Sequence, residues 1–293
     1  MMNDYSDIVR KLFGESTAIT GIRPVSGGDI NEAFLLSLSD GSRIFLKENT
    51  EKNAGFFKAE MTGLSAIRKT GAIQVPEVRE AGVIHGRSYL MMEYLEVAPA
   101  KKDYWEHFGR QLAGMHKADP SEFTPGGKYG FFEDNYIGAG RQINEIRDSW
   151  IDFFRDCRLE VQFLRAQNYF DASGRKAMQK LLDHLDRFLI EPSSPSLLHG
   201  DLWSGNFVTG PDGYACLIDP AVYAGHYEAD LAMTELFGGF APAFYGAYKE
   251  VNGSLPGYPD RREIYNLYHL LNHLNLFGSG YYGAVMRIIR RLV

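Results

Sequence analysis

Apolar and polar residues alternate along EAFLLSLSDGSRIFLKEN (32–49), on both sides of Asp40-Gly41. Alternation around an Asp-Gly pair predicts a β-hairpin. The pattern then changes period. In KNAGFFKAEMTGLSAIRKTG the apolar residues Phe57, Met61, Leu64 and Ile67 recur at helical spacing and stop at Gly71, which predicts one amphipathic helix. VREAGVIHGRSYLMMEYL returns to strand-like runs and turns at His85-Gly86. The first third therefore reads strand, strand, strand, helix, strand, strand: a small antiparallel sheet carrying one helix.

Beyond about residue 101 the segments lengthen. DYWEHFGRQLAGMHKAD, DSWIDFFRDCRLEVQFLRAQ and RKAMQKLLDHLDRFLI each carry a 3.6-residue apolar stripe and read as helices. Between the first two lies TPGGKYGFFEDNYIGAG, glycine-rich but too aromatic for a flexible linker. NFVTGPDGYACLIDP predicts a hairpin turning at Asp212-Gly213, and three or four further helices complete the chain. The break at EVAPAKKD (96–103) predicts two lobes, 1–96 and 97–293, in the α+β class.

Composition narrows the function classes. Of 293 residues 45% are hydrophobic and 23% charged, ordinary for a globular protein. A net charge of −6 argues against a general nucleic-acid partner, which wants a basic face. Only Cys157 and Cys216 are present, giving neither a disulfide framework nor a paired-thiol metal site, and fitting a reducing cytoplasm. The opening MMNDYSDIVRKLFGES has charges throughout and no apolar core of signal-peptide type. No apolar run is long enough for a membrane span.

The chemistry concentrates in SLLHGDLWSGNF (196–207). Its Asp201 and Asn206 are followed by Asp219 at the end of ACLIDPA, and the intervening hairpin folds back, so all three can face one pocket. Two carboxylates and an amide are hard oxygen donors suited to Mg²⁺, which keeps positions for water and phosphate. His-x-Asp, four residues, Asn, then a metal-binding Asp at a strand end is the protein-kinase order. The bland alternative is a pair of Asx-capped turns. Lys47 lies in an apolar strand, where a lysine wants a partner. Glu60 in the next helix is the favoured one, with Glu48 and Glu51 as competitors. A strand lysine held by a helix glutamate and aimed at nucleotide phosphates completes the pattern. Gly27 and Gly28 in PVSGGDINEAF would let backbone approach those phosphates.

LLHGDLWSGN together with LIDPAVYAGHYEADLAMTELFGGF closely resembles the fructosamine (ketosamine-3-) kinase family, a branch of the bilobal protein-kinase-like fold. The likeness continues through KYGFFEDNYIG, WIDFFRDCRLEVQ and the C-terminal YNLYHLLNHLNLFGSGYYGAVMRIIRRL. It implies ATP-dependent phosphorylation, with Mg²⁺, of the sugar 3-hydroxyl of a ketosamine, free or protein-bound. The phosphorylated adduct then breaks down, so the activity is one of deglycation. By resemblance Met92 walls the adenine pocket and the strand exit Glu93-Tyr94-Leu95 faces the base. Asp201 orients the hydroxyl, while Asn206 and Asp219 hold the metal. Trp203 and the aromatic tract at Tyr129, Phe131 and Phe132 are candidates for the sugar-amine side, as is His226. His199 and Asp230 are expected to brace the loop, with helix capping an equal alternative for Asp230. Where family members often carry a cysteine in the glycine-rich loop, Asp29 stands here, so redox control through that loop is not expected. The alternative reading is an aminoglycoside- or choline-type kinase of the same fold. The implied partner is the ketosamine; neither nucleic acid nor membrane is expected, and the oligomeric state is open.

Two motifs are rejected. GSGYYG (278–283) follows a helix and leaves too little chain for a dinucleotide-binding unit. His269 and His273 lack the glutamate that a zinc-protease HExxH would supply and read as packing.

Overall fold

The computed structural model describes residues 5–25 and 31–293. Its first part is a five-stranded antiparallel sheet with α2 packed on one face. The elements are α1 (Ser6–Phe13), β1 (Ile19–Pro24), β2 (Glu32–Leu38), β3 (Arg43–Thr50), α2 (Ala54–Lys69), β4 (Val78–Ile84) and β5 (Arg87–Glu93). The strand order is β1-β2-β3-β5-β4. Both expected hairpins are present. At the second, His85 takes a φ of 48° and Gly86 one of 76°, the paired left-handed residues that a tight two-residue hairpin turn requires.

Helix α1 is absent from the sequence-based expectation. Its eight residues carry charges on most turns, and it acquires an apolar partner only when the sheet exists. Val9 and Tyr5 then close over Leu36, Leu38, Ile44, Leu46 and Met91. Because side chains alternate across a pleated strand, Ile44, Leu46 and Glu48 of β3 face α1, while Phe45 and Lys47 face the other way. Glu48, a competitor for Lys47, is thereby removed to the α1 side. There it accepts hydrogen bonds from the Tyr5 hydroxyl and from Arg87 Nε at 3.0 Å.

The rest is mainly helical: α3 (Tyr104–Lys117), the short hairpin β6 (Asn135–Ile137) and β7 (Gly140–Gln142), α4 (Trp150–Phe154), α5 (Glu160–Ala166) and α6 (Ala172–Leu182). Then come β8 (Ser196–Leu198), β9 (Phe207–Thr209), β10 (Ala215–Leu217) and β11 (Tyr223–Gly225). Four helices finish the chain: α7 (Glu228–Leu236), α8 (Pro242–Asn252), α9 (Tyr258–Phe277) and α10 (Tyr282–Leu292). Between α4 and α5, the expected continuous helix widens into one π-helical turn over Arg155–Leu159. That turn carries Arg158, fully buried, its guanidinium 3.9 Å from the Tyr223 ring centroid and bonded to Ile143 O and Asn144 Oδ1. The aromatic face and the oxygens replace its lost hydration.

One apolar core spans both parts, from Phe57, Leu64 and Ile67 on α2 to Leu197, Leu217, Ile264 and Leu271. Backbone bonds reinforce it: Leu217 N donates to Gln74 O at 2.9 Å, and Lys101 N to Gly213 O at 3.1 Å. Within the helical part, α3 and α8 approach closely at Gly109, where a Cβ would lie 2.3 Å from the Phe244 carbonyl oxygen. Gly109→Ala must push two backbones apart, and overpacking of this kind costs about 1–3 kcal/mol. Urea unfolding of that variant is expected to show a loss in this range; unchanged stability would mean the helices separate freely.

Candidate active site

The loop after β8 is too short to hold itself. β8 pairs with β11 over three residues, and the chain then turns at Gly200 with φ of 82°. A side chain is impossible there: a Cβ would lie 2.0 Å from Ala221 O. The turn is gripped from below by Asp230 on α7, whose carboxylate accepts from His199 N at 2.7 Å and Gly200 N at 2.9 Å. His116 Nε2 reaches the same carboxylate at 3.1 Å, and its Nδ1 meets the Tyr248 hydroxyl at 2.7 Å. Burial opposes the charge on Asp230, but His116, the nearby His199 ring and the Gly200 amide hold its carboxyl below the usual range. Asp230 therefore braces the loop and does not merely cap a helix. His116 is its unforeseen support; nothing in the α3 sequence separates it from an ordinary core histidine.

His199 performs the second bracing task. It is fully buried, and its Nδ1 accepts from Asp201 N at 3.3 Å while Nε2 meets Ile218 O at 2.9 Å. These partners require the neutral ring with the proton on Nε2, and burial lowers its pKa. One imidazole thus ties the residue before Asp219 to the Asp201 loop. Ile218 N closes the link by donating to Asn206 O at 3.0 Å.

Asp201 and Asn206 meet directly. Asn206 Nδ2 donates to Asp201 Oδ2 at 2.9 Å and to Asp201 O at 2.7 Å. Asn206 Oδ1 takes no hydrogen bond among the described residues. Burial raises the Asp201 carboxyl to about 7, against the Asn206 bond that lowers it. A value near neutrality suits a group that receives a proton during reaction.

Asp219 occupies a left-handed conformation, φ 52°, one that aspartate tolerates better than most residues. Its carboxylate touches Lys47 Nζ, which also donates to Glu60 Oε1 at 2.6 Å. The lysine and glutamate side chains are 12% exposed and that of Asp219 45%, so the aspartate opens toward solvent while the pair behind it is largely shielded. Burial alone would lower the Lys47 pKa; Glu60 and Asp219 outweigh it and keep the ammonium charged. Asp219 stays ionised against its own burial through the same lysine.

Fit to a divalent cation is judged on these donors. One exposed-facing carboxylate (Asp219) and one free amide oxygen (Asn206) suit Mg²⁺, which keeps several waters and phosphate oxygens. Among the described residues no cluster of three or more His, Cys, Asp or Glu forms a protein-only cage.

The remaining expectations divide. Met92 is 3% exposed and lies in the shared core, and Glu93 ends β5, its N donating to Glu77 O at 2.8 Å. Tyr94, under the Arg43 guanidinium at 5.0 Å, and Leu95 follow in the connecting segment. Gly27, Gly28 and Asp29 lie outside the described residues. Trp203 is 38% exposed beside the loop, folded over Gly205 and 6.3 Å from the Phe237 ring. From Phe237 an aromatic run continues to His273 at 4.9 Å and on to Tyr281 and Phe277, unforeseen because its members are far apart in sequence.

His226 is a correction. It is fully buried, its Nδ1 bonded to the Tyr265 hydroxyl at 2.8 Å, and burial drives its pKa down to about 3. It is a neutral histidine enclosed by its neighbours, a placement that gives the expected substrate contact no support. Tyr129 and Phe131 are likewise core residues; of that tract only Phe132 is well exposed.

Asp230→Ala leaves two backbone amides and His116 without their acceptor. At about 1–3 kcal/mol for each buried unpaired group, unfolding free energy is expected to fall by at least about 3 kcal/mol. A urea titration showing less than about 1 kcal/mol would mean the loop holds itself.

Comparison with known proteins identifies the family and the fold. A profile of the fructosamine kinase family matches residues 1–293. A protein of Synechocystis sp. named as a probable ketoamine kinase is 40% identical over 284 residues, covering 95% of this chain and 92% of its own. A chloroplastic protein-ribulosamine 3-kinase of Oryza sativa subsp. indica is 40% identical over 280 residues, covering 94% of this chain and 80% of its own. A Haemophilus somnus crystal structure, solved as a candidate fructosamine-3-kinase, superposes with a TM-score of 0.88 at 28% identity, covering 100% of this chain and 98% of its own. An aminoglycoside phosphotransferase in ternary complex with ADP and hygromycin B superposes with a TM-score of 0.64 at 16% identity, covering 98% of this chain and 96% of its own, and shares the bilobal kinase-like fold.

Proposed function

This chain belongs to the fructosamine kinase family, and we propose from that premise that it phosphorylates the 3-hydroxyl of ketosamine adducts on amines or proteins, initiating deglycation. It is an ATP-dependent kinase with a hydroxyl acceptor. The observation that carries the site assignment is the meeting of Lys47, Glu60 and Asp219 beside the joined pair Asp201 and Asn206.

The acceptor hydroxyl oxygen bonds to the γ-phosphorus of ATP as the bond to the β,γ-bridging oxygen breaks, leaving ADP. Asp201 accepts a hydrogen bond from that hydroxyl, orients it and takes its proton late. Its elevated pKa makes proton acceptance near neutrality feasible. Asn206 spends its amide N–H on Asp201 and so keeps Oδ1 for the cation; Asp219 is the second donor. Bound Mg²⁺ neutralises phosphate charge and helps align the transferring group. Lys47, oriented by Glu60, contacts the inner phosphates and is the group that Asp219 gives up when the nucleotide arrives. Met92 and Glu93–Leu95 flank the base, Gly27 and Gly28 the phosphates, and Trp203 the sugar-amine. The lobe boundary is assigned near residue 96. The location is assigned to the reducing cytoplasm, in keeping with two free, buried cysteines. Among the described residues no helix is long and apolar enough to cross a membrane.

Three results test the reading. Ribosyl-lysine and fructosyl-lysine incubated with ATP and magnesium should each gain one phosphate by mass spectrometry; transfer only to aminoglycosides or choline would favour the small-molecule alternative. Asp201→Asn should bind ATP normally yet turn over at least about a hundredfold more slowly, and near-normal turnover removes Asp201 from the mechanism. Asp219→Ala should lose magnesium-dependent nucleotide affinity in titration calorimetry, an unchanged isotherm contradicting its role.

A further inference from the structure

The hairpin β6–β7 closes the glycine-rich aromatic tract and reaches both halves of the nucleotide-handling group. On one side it meets α2, the helix carrying Glu60. The Tyr136 ring sits 4.3 Å from that of Phe56, edge to face. Its hydroxyl lies 2.8 Å from where a Cβ would stand on Gly55, so the ring settles here into space that a glycine leaves. Lys58 on α2 adds an ion pair to Glu133 at 3.4 Å.

On the other side the hairpin holds the chain just beyond Asp219. Asn135 Nδ2 donates to Val222 O at 2.7 Å, and Gln142 Nε2 to Ala221 O at 3.0 Å. The two amides also bond each other at 2.7 Å, and Tyr268 donates to Gln142 Oε1 at 2.6 Å. Asn135 is 4% exposed and Gln142 1%. Amides buried this deeply with nearly all partners satisfied form a rigid unit. The two braced elements also touch: a Cβ on Gly63 of α2 would lie 3.1 Å from Pro220 Cγ.

The need for such a brace follows from Lys47. It has two carboxylate partners, one on α2 and one on the turn at Asp219, and its direction depends on where each backbone sits. Helix α2 is otherwise held by apolar contacts to the sheet and the shared core, which are non-directional. Asp219 stands at a sharp left-handed turn whose exit must be pinned.

We infer that the β6–β7 hairpin is a permanent brace for nucleotide binding: Tyr136 is a positioning residue for α2 and Glu60, and Asn135 and Gln142 are positioning residues for the Asp219 turn. The inference rests on the nucleotide roles assigned above to Lys47, Glu60 and Asp219. It makes α2 fixed in the resting protein, so the lysine–glutamate pair exists before ATP arrives.

The test compares Tyr136→Ala, Tyr136→Phe and Gln142→Leu with the unaltered protein. In the absence of nucleotide and metal, amide exchange along α2 near Glu60 should quicken about tenfold or more in Tyr136→Ala and stay unchanged in Tyr136→Phe, which keeps the ring. With ATP and magnesium, Tyr136→Ala and Gln142→Leu should weaken nucleotide affinity about tenfold and lower kcat by about 10- to 100-fold, since small misplacements carry penalties of this size. The KM for fructosyl-lysine should move less than twofold. A merely structural hairpin would lower thermal stability without this split between nucleotide and acceptor. Unchanged α2 exchange and ATP affinity in Tyr136→Ala, or a rise confined to the acceptor KM, overturns the inference. If Tyr136→Ala does not fold, Tyr136→Leu retains bulk without the ring contact and is read by the same criteria. Asp219→Ala runs alongside. If it loses nucleotide affinity while Tyr136→Ala and Gln142→Leu keep theirs, only the brace fails; if it too binds normally, the site reading fails and the brace with it.

Discussion

A single buried carboxylate, that of Asp230, sets the geometry from which the site is built. β8 contributes three residues of strand and then reverses at Gly200, leaving two backbone amides pointing into the protein interior. Left unpaired, those amides would drive the loop toward water. Asp230 accepts from both, and His116 keeps it ionised in surroundings that would otherwise neutralise it. With the turn fixed, His199 is held between Asp201 N and Ile218 O, so the loop and the turn at Asp219 are tied to one another.

Electrostatics divides the cleft into two tasks. Around Lys47 two carboxylates surround one ammonium, and the more exposed of them, Asp219, is the one free to exchange partners. The shielded partner, Glu60, is the one that stays. Asp201 faces the opposite condition. Burial and neighbouring acids push its pKa up, with Asn206 as the only strong counterweight. A held lysine beside an aspartate whose carboxyl is raised toward neutrality fits the phosphoryl transfer proposed above, where positioning and charge dominate over covalent chemistry.

Packing between the two lobes is tighter than the hinge composition suggests. The apolar core is continuous across them, Gln74 and Leu217 share a backbone bond, and α2 rests on Pro220 through Gly63. In this arrangement the helix that carries Glu60 is part of the interlobe contact itself.

Much of this was legible in the chain. Period-two alternation around Asp40-Gly41 and His85-Gly86, helical stripes in α2, α3 and α6, and the order His199, Asp201, Asn206, Asp219 all depend on local residue chemistry that any fold must respect. Lys47 in an apolar strand announced a buried partner. What the chain left open were choices among neighbours distant in sequence. Glu60 over Glu48 was decided by the pleat, which sends 47 and 48 to opposite faces. His226 stood as a substrate-side candidate, and only the packing of Tyr265 and Trp150 around it shows a buried ring. Helix α1, the His116 support and the amides of Asn135 and Gln142 carry no local signature. Their partners are brought to them by the completed fold, because a hydrogen bond between residues a hundred positions apart exists only after the backbone has placed them.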